Sequence, residues 1–312
     1  MNAKRMAITV TQLTAFLAVV RGGSVTAAAD QLVVTQPSVS AAIGALGREL
    51  GCELFERAGR GIQLSEAGRA FVPYAEDVVG LLSGGRQAAQ EGARLSAARL
   101  RIAAVTTAAE SFVPILMRAF AQRHPDVEQT LAVGNHREVL ERVLAHDDDV
   151  AICGQPPTGA RLHARPLMDN EIVCVTAPDD PAAAGPPVQT AALSGRTWLL
   201  REEGSGTRAL NERFLRRHGL EPTTLVLGSN GAIKQAARER LGISLLSRAA
   251  VATELKHGWL GEIALRDGPD ARRWFVVRSA VGPVRAPVER FEAFVGQTAV
   301  ATLAGGDRRP RA

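Results

Sequence analysis

The residues best suited to chemistry stand in three short clusters, each after an apolar run that reads as a β-strand: Thr106-Thr107, Gly204-Ser205-Gly206-Thr207 and Gly228-Ser229-Asn230. A first helical turn leaves backbone N–H groups unpaired, and hydroxyl or amide donors beside them favour a negatively charged ligand. The middle cluster is the strongest. Gly204 and Gly206 permit a tight backbone nest, Ser205 and Thr207 add hydroxyls, and Arg201 or Arg208 supplies positive charge. Asn135 and Gln155 end other apolar runs and are expected to line the opposite side of the same cleft. Helix capping alone uses the same residue types, so a single cluster would mean little. Three at equivalent strand ends point to a binding cleft.

Bond-making chemistry has no comparable support. Glu203 stands two residues before Ser205, where a nucleophile elbow needs glycine. The histidines, at 124, 136, 146, 163, 218 and 257, form no H-E-x-x-H pair, and no GxGxxG or Walker A sequence occurs. Cys52, Cys153 and Cys174 match neither a disulfide framework nor a structural zinc site and read as buried free thiols. No catalytic residue, metal or cofactor is expected, only a small anionic effector.

The elements that must position these clusters come from a chain of 312 residues, 46% apolar and 22% charged, which suits two or three compact domains. No apolar run reaches the roughly 18 residues of a membrane span. Met1 to Arg5 leads into a polar helix pattern with no signal-peptide core, so a cytoplasmic protein is expected. The net charge of +5 is unevenly spread: the first 65 residues hold six basic and four acidic groups, and from Asp270 onward eight arginines oppose four carboxylates. Overall charge therefore does not locate a nucleic-acid surface, and position has to.

Leu13, Phe16, Leu17 and Val20 predict a first helix opening at Thr11 and closed by Gly22-Gly23. Ser24 is placed to cap a second helix, and Gln36-Pro37 begin a third whose Val39, Ile43, Leu46 and Leu50 form its buried stripe. The opposite face carries Pro37, Ala41, Gly44, Ala45 and Arg48, with Gln36, Ser38 and Ser40 alongside. So narrow and weakly charged a face fits a DNA major groove, and it also fits another helix. Gly51 to Leu64 reads as a two-stranded wing with Arg57 on its first strand and Arg60 at a glycine-flanked tip, suited to a minor groove. From Ser65-Glu66 a longer helix carries Ala67, Phe71, Tyr74, Val78 and Leu81 as a heptad seam. That seam is expected to pair two copies of the chain, the alternative being packing on its own chain. Pro73 is expected to bend this helix and Gly84-Gly85 to loosen it.

The run AAADQLVVTQPSVSAAIGALGRELGCELFER, followed by LSEAGRAF, resembles the N-terminal region of LysR-type transcriptional regulators. The resemblance implies a helix-turn-helix at about Val25 to Gly44 and puts Gln36, Pro37, Ser40, Arg57 and Arg60 at positions that often touch DNA; Ser24, Ser38 and Ala41 complete the expected DNA-facing set. Ala41 departs from the pattern, because many members carry arginine or glutamine after the serine. An alanine packs on a thymine methyl without a hydrogen bond to a base, which shifts the reading toward shape and the wing.

From Arg99 the runs LRIAAV, VEQTLAV and DVAICG alternate with helical segments, as in a parallel α/β sheet. A second α/β unit runs from IVCVTAP to ISLLSRAAV, and RRWFVVRSA with a helix near Pro287 to Leu303 returns to the first. Two lobes joined by two crossovers make a hinged cleft, the architecture LysR effector domains share with periplasmic solute-binding proteins. The expected organisation, α/β in class, is a winged helix-turn-helix over 8–65 and a linker helix over 66–95. An effector domain follows over 96–303, with lobe I about 96–170 and 271–303 and lobe II about 171–270, then a flexible tail over 304–312. REEGSGTR and LGSNGAIKQAARERLGISLLSR resemble the branch that includes regulators of carbon-fixation operons and of sulfur assimilation, which implies an anionic metabolite. The expected partners are double-stranded DNA, a small-molecule effector and further copies of the chain, as a homodimer or homotetramer. A small-anion binding protein without DNA function and a ligand-insensitive architectural DNA protein are the alternatives.

Overall fold

The computed structural model describes residues 7–59, 61–94, 97–157 and 161–297, and it divides into two compact units, one built on the chain up to Ala93 and one on the chain from Arg94. The first unit opens with α1 (Val10–Gly22), α2 (Val25–Leu32) and α3 (Gln36–Leu50). It continues through the hairpin β1 (Phe55–Ala58) and β2 (Gly61–Leu64) into α4 (Glu66–Gly92). Local sequence sets the boundaries. Thr9 and Gln12 close a capping box on α1, Ser24 accepts from the Ala27 N–H at the start of α2, and Pro37 occupies the first turn of α3. Ser65 caps α4 by accepting from the Gly68 N–H, 2.9 Å away, and its own hydroxyl donates to the Glu53 carbonyl.

Leu13, Phe16, Leu17, Leu46, Leu54 and Ala75 form one side of this unit's core, and the Phe16 ring lies 5.5 and 5.6 Å from those of Phe55 and Phe71. The heptad expected on α4 divides as a result. Phe71 faces the unit's own core with Val72, Ala75 and Val79, and Tyr74, Val78 and Leu82 are left 69%, 51% and 54% exposed. A helical repeat of three and four serves two faces of one helix, and spacing alone does not tell them apart. Pro73 lies within α4, which also continues unbroken past Gly84 and Gly85. Cys52, expected to be buried, is exposed in the turn that follows α3. Between α2 and α3, Val33 adopts a left-handed backbone (φ 56°) with its side chain 90% exposed.

The second unit begins with β3 (Ala98–Val105), α5 (Thr106–Ala109), α6 (Val113–Arg123), β4 (Val127–Gly134), α7 (His136–Leu144), β5 (Val150–Cys153) and β6 (Leu162–Asn170). Its middle stretch is β7 (Ile172–Thr176), β8 (Trp198–Leu200), α8 (Gly206–Arg217), β9 (Thr224–Val226), α9 (Asn230–Arg238), β10 (Ser244–Ser247), α10 (Arg248–Lys256) and β11 (Gly261–Ile263). It closes with β12 (Arg272–Ser279) and α11 (Ala286–Gln297). Lobe I is a five-stranded sheet in the order β4-β3-β5-β12-β6. Lobe II sets β10-β7-β11 beside the parallel pair β8-β9, which joins β10 through the Trp198 to Ile243 bridge. Phe112, Phe120, Trp274 and Phe291 fill the larger core of lobe I, and Trp198 with Phe214 fills one side of lobe II.

Neither sheet is purely parallel. Only Glu171 separates β6 from β7, so the chain passes straight from one lobe to the other. The returning β12 then runs antiparallel to both of its neighbours, β5 and β6. Strand pattern registers that a strand exists, and the direction comes from the crossover.

In the first unit, Gly68 answers a specific demand. A Cβ there would overlap the Leu54 carbonyl oxygen and press on Leu64, because α4 starts directly against the loop before the wing. Gly68→Ala is expected to lower the stability of this unit by roughly 1–3 kcal/mol, as for other overpacked sites. A fall in the urea unfolding midpoint followed by circular dichroism checks this, and an unchanged midpoint refutes it.

Candidate functional site

In the first unit, burial of Val39 and Leu46 fixes the rotation of α3 and turns Gln36, Pro37, Ser38, Ser40 and Ala41 to solvent. The Ser38 hydroxyl lies 2.8 Å from that of Thr35, at the N-terminus of the helix. The α3 sequence carries no charge before Arg48, so the exposed part of its first half presents small groups, hydroxyls and one amide. Arg57 is exposed on β1, opposite Ile62. Ser24 is occupied in capping α2, and Arg60 lies outside the described residues.

In the second unit, the carboxyl ends of β3, β4, β5 and β8 and the start of α8 surround a cleft. Thr106, Thr107, Asn135, Arg201, Ser205, Gly206 and Thr207 line it. Gly204 adjoins it at a left-handed backbone position (φ 83°), where a Cβ would stand 3.2 Å from the Asn135 side chain. Ser229 caps α9 at its Ala232 N–H. Gln155 is exposed and does not line the cleft; Gly154, just past the end of β5, does.

Several of these groups are already committed to one another. Arg201, only 4% exposed, donates to Asn230 Oδ1 at 2.7 Å and to both Glu202 oxygens. Asn230 in turn donates to Thr107 Oγ1 at 2.9 Å, which ties lobe II to lobe I. Ser247 and Asn170 make a second buried bond between the lobes at 2.7 Å. Arg208 pairs with Glu212, and Asn135 caps α7 through Glu138. Asn211, fully buried, holds α8 to β10 through both the N–H and the carbonyl of Leu245.

The cleft's uncommitted charge comes from elsewhere. Arg272, at the start of β12, makes no ion pair among the described residues and offers only a long hydrogen bond, 3.4 Å, to the Gly206 carbonyl. Burial, with Arg213 nearby, pushes its guanidinium below an arginine's ordinary value; an arginine in a protein stays charged. His136 lines the cleft too, and burial together with Arg272 holds its imidazole below the usual histidine range. Burial also pushes the Cys153 thiol up to about 12, which keeps it protonated. No carboxylate is among the lining residues. A cleft of this kind suits a small anion.

Two family models cover these units. Residues 10–69 match the bacterial regulatory helix-turn-helix protein of the lysR family, and residues 93–299 match the LysR substrate binding domain. This chain is a LysR-type transcriptional regulator. As such it pairs a helix-turn-helix of bacterial regulatory type with a substrate binding domain. It is 35% identical over 278 residues to a RuBisCO operon transcriptional regulator of Allochromatium vinosum, a match spanning 87% of this chain and 90% of that one. The regulatory domain of CcmR from Synechocystis PCC6803, solved in complex with 2-PG, is similar at a TM-score of 0.60 and 33% identity, over 64% of this chain and 95% of that one. Full-length OxyR from Pseudomonas aeruginosa shares the fold at a TM-score of 0.68 and 22% identity, over 96% of this chain and 99% of that one.

In this LysR-type regulator the clusters at 106–107 and 204–207 meet in one cleft, with Asn230 behind them bridging Arg201 and Thr107. His136, Asn170, Ser247 and Arg272 line the cleft as well, outside the strand-end clusters that the sequence marks. A histidine directly after Asn135 was the one local signal available. Because the Asn230 bridge joins the lobes, Thr107→Val, which keeps the side chain's shape but removes its acceptor, is expected to destabilise the effector domain by about 1–2 kcal/mol. Urea unfolding of the variant beside wild type measures this, and equal midpoints would show that the bridge contributes nothing.

Proposed function

We propose that this regulator senses a small anion held against Arg272, and that occupancy of the cleft changes how its DNA-binding domains engage their half-sites. The observation that carries this reading is a largely buried guanidinium that makes no ion pair among the described residues, in a cleft that no carboxylate lines. Similarity to the CcmR regulatory domain, solved with 2-PG, supports it and makes 2-PG the first ligand to test. The cleft binds and releases its ligand unchanged, and the protein works in the cytoplasm beside the DNA it controls. The exposed face of α3 reads a major groove through Gln36, Ser38, Ser40 and Ala41, and Arg57 contacts the phosphate backbone.

For the ligand to act, its affinity must differ between two arrangements of the subunits, since equal affinity shifts nothing. Footprints and DNA bending measured with and without saturating 2-PG are expected to differ in extent. Identical patterns with the ligand demonstrably bound would remove the coupling. Arg272→Gln is expected to weaken 2-PG binding by roughly ten- to a hundredfold, the worth of a hydrogen-bonded charge, and calorimetry decides it. Arg57→Ala is expected to weaken operator and scrambled DNA alike and to flatten the salt dependence by about one phosphate contact per subunit. An unaltered slope in gel-shift titrations at several salt concentrations would place Arg57 away from the backbone.

A further inference from the structure

Arg272 and His136 converge on one point, the first residue of α8. The Arg272 guanidinium donates to the Gly206 carbonyl, and a Cβ on Gly154 would lie 2.9 Å from its Nη2, so that glycine leaves room for the guanidinium. From α7, the His136 side chain faces Gly206 as well: its Cβ, Cγ and Nδ1 lie 3.5, 3.7 and 3.9 Å from where a Cβ on Gly206 would stand. The two basic groups thus flank the same end of the cleft, one from a strand and one from a helix of lobe I.

We propose that His136 and Arg272 form a pair that selects a doubly charged anion, with His136 taking up a proton as the anion binds. The inference rests on the reading of the cleft as an anion site. Without ligand, burial and the adjacent guanidinium keep the imidazole neutral at neutral pH. The other charged groups around it are paired with one another, neutral or positive. On its own helix, Glu138 caps through Asn135 and Arg137 leans toward Glu141 at 3.9 Å. On α8, Glu212 holds Arg208, and Arg213 stands near Arg272. On the strand ends, Arg201 and Glu202 hold each other, and the Cys153 thiol stays protonated. No described carboxylate forms an ion pair with His136, so the role of stabilising an imidazolium falls to the ligand.

A singly charged anion is matched by Arg272 alone, and protonating His136 beside it would add an uncompensated like charge. A second negative charge offsets that repulsion. It raises the proton affinity of the imidazole, which then donates its N–H to the ligand. Proton uptake and preference for the dianion are therefore one effect, and by linkage the affinity rises as pH falls, by at most tenfold per pH unit.

Calorimetry on the full-length protein with sulfate and with perchlorate tests this. Both are tetrahedral, they carry two charges and one, and neither titrates between pH 6 and 8. In paired buffers of different ionisation heat, wild type is expected to take up a fraction of a proton per sulfate at pH 7. It should bind sulfate at least about tenfold more tightly than perchlorate, and sulfate affinity should fall several-fold from pH 6 to pH 8. His136→Gln should keep sulfate binding through Arg272 but lose the proton uptake, the pH dependence and most of the preference. Sulfate binding by wild type without proton uptake overturns the pairing with no variant needed, as does equal uptake in His136→Gln. If wild type binds neither sulfate, perchlorate nor 2-PG, the anion reading of the cleft fails, and this inference falls with it.

Discussion

A guanidinium removed almost wholly from water must have its donors satisfied in place, and much of the effector domain is arranged around Arg201 for that reason. Glu202 neutralises the charge and Asn230 accepts from the remaining edge. Meeting the second demand fixes the start of α9, because an amide that accepts on one side has a donor to place on the other, and Thr107 receives it across the cleft. A requirement internal to lobe II thereby reaches into lobe I. The arrangement separates the cleft's two arginines by role. One is saturated and structural, and the other is left with capacity to spare.

That separation explains why much of the architecture was legible in the sequence and the site only partly so. Caps and breakers act within a few residues, so Ser24, Gln36-Pro37 and Ser65 mark their helix starts in the chain itself. Hydroxyl clusters at 106–107 and 204–207 read equally well, since strand end followed by helix start is a local pattern. Arg201 was legible as a charge near the cleft, but its commitment to Glu202 and Asn230 was not. Arg272 lies far along the chain from the clusters at 106–107 and 204–207 and enters the site because β12 returns antiparallel and slots between β5 and β6. No periodicity encodes that placement. Gln155 shows the reverse case. One residue of offset past the strand end puts Gly154 in the cleft and sends Gln155 to solvent.

The electrostatics of the cleft extend beyond its floor. Arg213, exposed on α8, stands near Arg272, so the positive potential continues from the buried guanidinium toward bulk water. Low-dielectric walls concentrate such a field. For the proposed anion, such a field would act before any hydrogen bond forms, leaving the hydroxyls and backbone groups of the 204–207 loop to discriminate by shape.

In the DNA-binding unit, the left-handed turn at Val33 carries an energetic debt. A branched L-residue at positive φ costs on the order of 1–2 kcal/mol, and with 90% of the side chain exposed no packing at the site itself offsets it. The offset comes from the helices on either side, whose buried contacts hold the angle between α2 and α3 against the preference of the residue joining them. The measured stability of this unit therefore understates the strength of its core, since part of what Phe16, Ala28 and Leu46 contribute goes to holding one turn in shape.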